Sequence, residues 1–140
     1  MTQVVVDASA ALAWLVPSQA SQAGWRFLAS IQDHSLVAPK IFDWEVRNVL
    51  LALARRGAVD SNAYNEALGV YEQLPIDFSE PVAELRDLAT FARQSGLSLF
   101  DAAYVALALD RECGLVSRDA AQLGLASASG IACFDLRVTE

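Results

Sequence analysis

Apolar and polar positions fall into two alternating patterns along this chain. Short, mainly apolar runs at Thr2–Val6, Leu36–Ala38, Pro75–Phe78, Leu115–Ser117 and Ile131–Phe134 predict strands. Between them the apolar positions recur at helical spacing. Ala8–Val16 reads as a helix stopped by Pro17, and Ser18 as the cap of a second helix reaching about Ser30. In 42–56 the positions Trp44, Val46, Val49, Leu50, Leu53 and Ala54 share one face, and Gly57 suits the stop. Further helices are predicted from Asp60 or Ser61 to about Gln73, over Glu80–Gln94, and over Leu99–Glu112, the last capped by Ser98 and closed at Cys113-Gly114. One or two helical turns follow Arg118-Asp119.

Short apolar strands separated by helices predict an α/β domain, with a mainly parallel central sheet covered by helices on both faces. No repeat or Gly/Ser-rich linker divides the 140 residues, so the expectation is one domain over 1–140. In parallel sheets, ligands sit beyond the carboxyl ends of the strands. The places to look are therefore just after Val6, Ala38, Phe78 and Ser117.

Composition narrows the class. Hydrophobic residues make up 54% and charged residues 19%, which excludes a chain held open by charge. No apolar stretch approaches the ~20 residues of a membrane span, and the N-terminus has no basic region ahead of its apolar run. Cys113 and Cys133 read as reduced core residues, and the expected compartment is the cytoplasm. Ten Lys and Arg against seventeen Asp and Glu give −7, with Lys40 the sole lysine. That balance opposes nucleic-acid binding unless a metal or local arginines offset the acids.

The acids are where the chemistry lies. Asp7 follows Val4-Val5-Val6 directly, and Asp119 stands in the corresponding place after Leu115-Val116-Ser117. Asp101 lies in the first turn of an apolar helix and needs a partner there. Glu45 sits early in another such helix, with Asn48 one turn later on the same face. Taken singly, the aspartates read equally as helix caps or as charges on a helix dipole, and Glu45 as part of a wet face. Converging on one crevice they would repel and raise one another's pKa values, a conflict that a hard divalent cation removes.

Four segments carry a resemblance. Val5-Val6-Asp7-Ala8-Ser9-Ala10, Glu45-Val46-Arg47-Asn48-Val49-Leu50, Leu99-Phe100-Asp101-Ala102-Ala103-Tyr104-Val105-Ala106-Leu107-Ala108 and Leu115-Val116-Ser117-Arg118-Asp119 resemble, in order and spacing, the motifs of PIN domains. A PIN domain with nothing appended is similar to the VapC-type toxins of bacterial toxin–antitoxin pairs. The resemblance implies a three-layer α/β/α fold and a Mg²⁺- or Mn²⁺-dependent ribonuclease whose acids are Asp7, Glu45, Asp101 and Asp119. Asp7 and Asp101 would be direct metal ligands. Glu45 and Asp119 would bind directly, through water, or act as general base. Ser9, Asn48 and Ser117 would orient the carboxylates. The implied partners are RNA, a cognate VapB-type antitoxin held near the first two helices, and a second copy, with 42–56 and 60–73 as dimer faces.

Around this core the remaining residues read as follows. Arg118 and Arg47 are candidates to meet an RNA phosphate, with a solvated surface role as the equal alternative. Trp14, Trp25, Phe27 and Trp44 are core residues or, in part, the walls of a groove. His34, in Gln32-Asp33-His34-Ser35, reads as a surface loop residue, which disfavours His-based RNA cleavage. Two rival classes stand beside the nuclease. One is a phosphoaspartate phosphatase or receiver domain, which wants a lysine after a late strand. The other is a PIN-like partner-binding module that no longer cleaves.

Overall fold

The computed structural model of the protein describes residues 2–137. Its elements in chain order are β1 (Thr2–Val6), α1 (Ala8–Leu15), α2 (Gln22–Ala29), β2 (His34–Ala38), α3 (Ile41–Arg55), α4 (Ser61–Gln73), β3 (Ile76–Phe78), α5 (Leu85–Ser95), α6 (Leu99–Arg111), β4 (Gly114–Ser117), α7 (Ala120–Ala128) and β5 (Cys133–Asp135). The five strands form one parallel sheet in the order β3-β2-β1-β4-β5. Helix α1 packs on α3 and α4, whereas α6 packs on α5 and α7. With right-handed crossovers the two groups cover opposite faces, giving three layers.

The central strands are apolar on both faces because both are covered. Val4, Val5, Val6, Leu115 and Val116 are fully buried, and Phe42, Leu50, Tyr104 and Leu107 pack over them from the helices. The chain moves outward from β1 to β2 and β3, then returns to β4 on β1's other side. The strand order thus reverses between β1 and β4, the place where a doubly wound sheet opens a crevice at its carboxyl edge. Asp7 and Asp119 both leave the sheet there.

Several boundaries differ from the pattern of the sequence. Ser18 lies in a 3₁₀ turn over Pro17–Gln19, and Ser21 caps α2 instead, accepting from the Gly24 N–H while donating to the Leu136 carbonyl at 2.7 Å. Residues 80–84 are not helical. The Glu80 carboxylate accepts the Lys40 N–H and the Asp110 carboxylate accepts the Val82 N–H, so distant partners hold this segment out of the helix. Helix α6 ends on Glu112 at φ 49°, and Gly114 already belongs to β4. Helix α7 runs nine residues, longer than one or two turns.

His34 is not a loop residue. It begins β2 and its ring stacks on Phe27 with centroids 4.8 Å apart. Trp14 also stacks on Phe27 and donates its indole N–H to the Gly24 carbonyl. These two aromatics are core, whereas Trp25 and Trp44 are exposed, at 54% and 76%. The cysteines are free and half-buried, and burial pushes both thiols up. Among the described residues, no helix is long and apolar enough to cross a membrane.

Candidate active site

Asp7 caps α1, so its backbone is extended and its Oδ1 accepts the Ala10 N–H at 2.9 Å. The same Oδ1 accepts the Ser9 hydroxyl at 2.7 Å, and Oδ2 accepts the Ser117 hydroxyl at 2.7 Å. A carboxylate offers about four lone-pair sites, and these bonds fill three of them. One site on Oδ2 is left. Burial, opposed by the two serines and Ala10 and reinforced by the nearby charge of Asp119, pushes Asp7 up to about 6. Asp7 is thus well hydrogen-bonded yet short of positive charge.

Ser9 and Ser117 also tie β1 to the β4–α7 turn. Ser117 Oγ accepts the Asp119 N–H at 2.9 Å, and Ser9 Oγ accepts the Arg118 N–H at 2.8 Å. Asp119 caps α7, its Oδ1 accepting the Gln122 N–H at 2.9 Å. The capping readings of Asp7 and Asp119 therefore hold as local structure, and capping leaves carboxylate lone pairs over for another ligand.

Asp101 lies in the first turn of α6 behind the Ser98 cap. Its Oδ1 accepts the Gln122 side-chain amide at 3.0 Å. Three residues on, and so on the same face of α6, the Tyr104 hydroxyl donates to Glu45 Oε1 at 2.5 Å. Burial raises Glu45, the Tyr104 bond opposes the rise, and the charge of Asp101 adds to it. Tyr104 itself is pushed far up, first by burial, then by Glu45, with Asp7 and Asp101 contributing. Three acids, Asp7 at the end of β1, Glu45 on α3 and Asp101 on α6, thus act on one buried tyrosine, and Asp119 acts on Asp7.

Not every candidate joins them. Asn48 is exposed and lines a groove between α3 and α4 with Asp43, Trp44, Arg47, Leu51 and Tyr64. No hydrogen bond from Asn48 to the acids is present among the described residues. Arg47 sits in the same groove, bound to Asp43 at 2.8 Å and Glu72 at 3.3 Å and lying over the Tyr71 ring. Arg118 is half-buried, with its guanidinium on Gln19 Oε1 at 3.3 Å. Tyr104 and Gln122 are the site residues that the acids alone did not point to. The signal for both is position, each standing three residues after a site acid on a helix.

These residues fit a hard divalent cation by the chemistry of their donors, which are carboxylate oxygens with lone pairs to spare and too little positive charge nearby. Among the described residues, no three His, Cys, Asp or Glu side chains already stand close enough to hold an ion.

The profile of the PIN domain matches residues 4–127, which takes in all four acids and both serines. The chain belongs to the PIN-domain family. It is 36% identical over 117 residues to VapC ribonuclease Mb0985 of Mycobacterium bovis and, equally, to ribonuclease VapC9 of Mycobacterium tuberculosis. Each match covers 83% of this chain and 85% of the relative. The PIN fold is also that of PAE2754 from Pyrobaculum aerophilum, at TM-score 0.67 and 22% identity over 95% of this chain and 90% of the other. FitAcB from Neisseria gonorrhoeae matches at TM-score 0.65 and 20% identity, covering 96% and 98% of the two chains.

Proposed function

We propose that this PIN domain is an endoribonuclease toxin of the VapC kind, a hydrolase that uses Mg²⁺ or Mn²⁺ and is silenced by a cognate antitoxin. The observation that carries the reading is Asp7, buried and hydrogen-bonded by neutral donors, with the charge of Asp119 acting on it and Glu45 and Asp101 acting with it on Tyr104. Its relatives in Mycobacterium are VapC ribonucleases, and they match over most of both chains.

Asp7, Glu45, Asp101 and Asp119 are the residues that would hold the ion. When bound, a divalent ion supplies a water acidified toward neutral pH and a positive charge for the phosphate oxygens. The chain's own residues supply the rest. Ser9 and Ser117 fix both oxygens of Asp7 and so aim its remaining lone pair. Tyr104 fixes Glu45, whose raised pKa suits it to accept a proton from water in the crevice. Arg118 is the nearest arginine in sequence to the acids and is the candidate to meet a phosphate. Weak general affinity for RNA follows from the −7 charge, with a steep dependence on the divalent ion. The exposed groove between α3 and α4, with Trp44 and Tyr64, is the proposed contact with a second copy.

The test is cleavage of a mixed RNA pool by purified protein with Mg²⁺, with Mn²⁺ and with EDTA, alongside Asp7→Asn and Asp101→Asn. Metal-dependent cleavage that both substitutions abolish is the expected result. Cleavage surviving EDTA and both substitutions would overturn the reading. A folded protein that cleaves under no condition would favour the partner-binding module.

A further inference from the structure

Gln122 stands out among the buried groups. It is 2% exposed, on the first turn of α7, next to Leu123 and one turn before Ala126 in the core. Its two donors go to two different acids: the main-chain N–H to Asp119 Oδ1 and the side-chain Nε2 to Asp101 Oδ1. Its Oε1 is buried and has no hydrogen-bond partner. Buried polar atoms in native proteins are nearly always paired, so the exception asks for a reason. Turning the amide over would not mend it, because Oε1 would then face the carboxylate of Asp101. The orientation is set by Asp101, and the unpaired acceptor is its consequence. An apolar side chain here would avoid that acceptor.

We infer that Gln122 is a positioning residue that holds the carboxylates of Asp101 and Asp119 in register for a shared divalent cation. It engages one oxygen of each acid and leaves Oδ2 of each outside its own bonds. A single residue thereby couples the start of α6 to the β4–α7 turn. The inference rests on the metal-dependent nuclease reading and adds to it a residue that none of the four motifs contains.

The experiment titrates Mn²⁺ into the protein without RNA, following free Mn²⁺ by electron paramagnetic resonance. It compares wild type, Gln122→Met, Gln122→Leu, Asp101→Asn and the Gln122→Met/Asp101→Asn double variant, with melting temperatures throughout. Gln122→Met should weaken Mn²⁺ binding about 10–100-fold without lowering the melting temperature. In the Asp101→Asn background the same change should have little further effect, because the group it acts through has been neutralised. Wild-type Mn²⁺ affinity in folded Gln122→Met or Gln122→Leu would overturn the inference while leaving the nuclease reading intact. Failure of both apolar variants to fold would assign Gln122 to the core and overturn it equally. A wild-type protein that binds no Mn²⁺ would bring down the metal reading itself, and the inference with it.

Discussion

Asp7 and Asp43 are both hydrogen-bonded aspartates, and the structure treats them oppositely. Asp43, on the outer face of α3, is pushed up by partial burial, but the Tyr71 hydroxyl and the Arg47 guanidinium more than offset this and hold it low. Asp7 has three hydrogen bonds of its own, from Ser9, Ser117 and Ala10, and still rises to about 6. The difference is the counter-charge. Neutral donors soften the desolvation of a buried carboxylate but do not cancel it, whereas an adjacent cation does. Asp43 carries its cation within the chain. Among the described residues, the bonds to Asp7 come from Ser9, Ser117 and the Ala10 N–H, all of them neutral.

The largest effect should come from removing the Asp7 charge. Asp7→Asn should lower metal-dependent RNA cleavage on the order of 10³-fold, the loss of several kcal/mol of charge stabilisation, measured as single-turnover rate. Asp43→Asn should leave that rate nearly unchanged. Equal losses in the two variants would break the contrast between them.

Stability against pH sharpens it further. A carboxyl whose pKa is higher folded than unfolded binds its proton more tightly in the native state. Its stabilisation is then complete below the unfolded pKa and is lost as pH rises through the folded one. For Asp7 the window runs from the ordinary 3.8 to about 6. Metal-free wild type should lose about 2 kcal/mol relative to Asp7→Asn between pH 4 and pH 7.5, read by urea unfolding at those two values. Saturating Mg²⁺ should restore stability to wild type at pH 7.5 and not to the variant.

Smaller effects follow at the edges of the two regions. Tyr104→Phe removes the hydroxyl from Glu45 and should cost about 1–2 kcal/mol in chemical denaturation. On the outer face, Arg47→Ala breaks two ion pairs between largely exposed groups and should cost under about 1 kcal/mol, diminishing in salt. A salt-insensitive loss above that would mean that Arg47 acts through its packing on Tyr71 instead.

Parts of this were legible along the chain. The apolar runs at 4–6 and 115–117 were readable as strands because a fully covered parallel strand has no polar alternation. The need of Asp101 for a partner was readable from its apolar neighbours, though the partner, Gln122, was not. Tertiary contacts overrode local pattern elsewhere. Polar neighbours disguised His34, which the stack on Phe27 draws into β2. Helical spacing at 80–84 gave way to bonds from Lys40 and to Asp110, each more than twenty residues distant. Glu45 and Asn48 are a turn apart on one helix, yet Glu45 meets Tyr104 while Asn48 opens on the groove.

The sequence by itself determined most of the elements, their parallel class and the strand-end and helix-start positions of the four candidate acids, because periodicity and position are local properties of a chain. Which oxygens those acids offer, and what stands between them, only the tertiary structure decided. Side chains distant in sequence make those choices: Ser117 on Asp7, Tyr104 on Glu45, and Gln122 on Asp101. Each is a single directional bond a few ångströms long, set by how the helices close over the sheet.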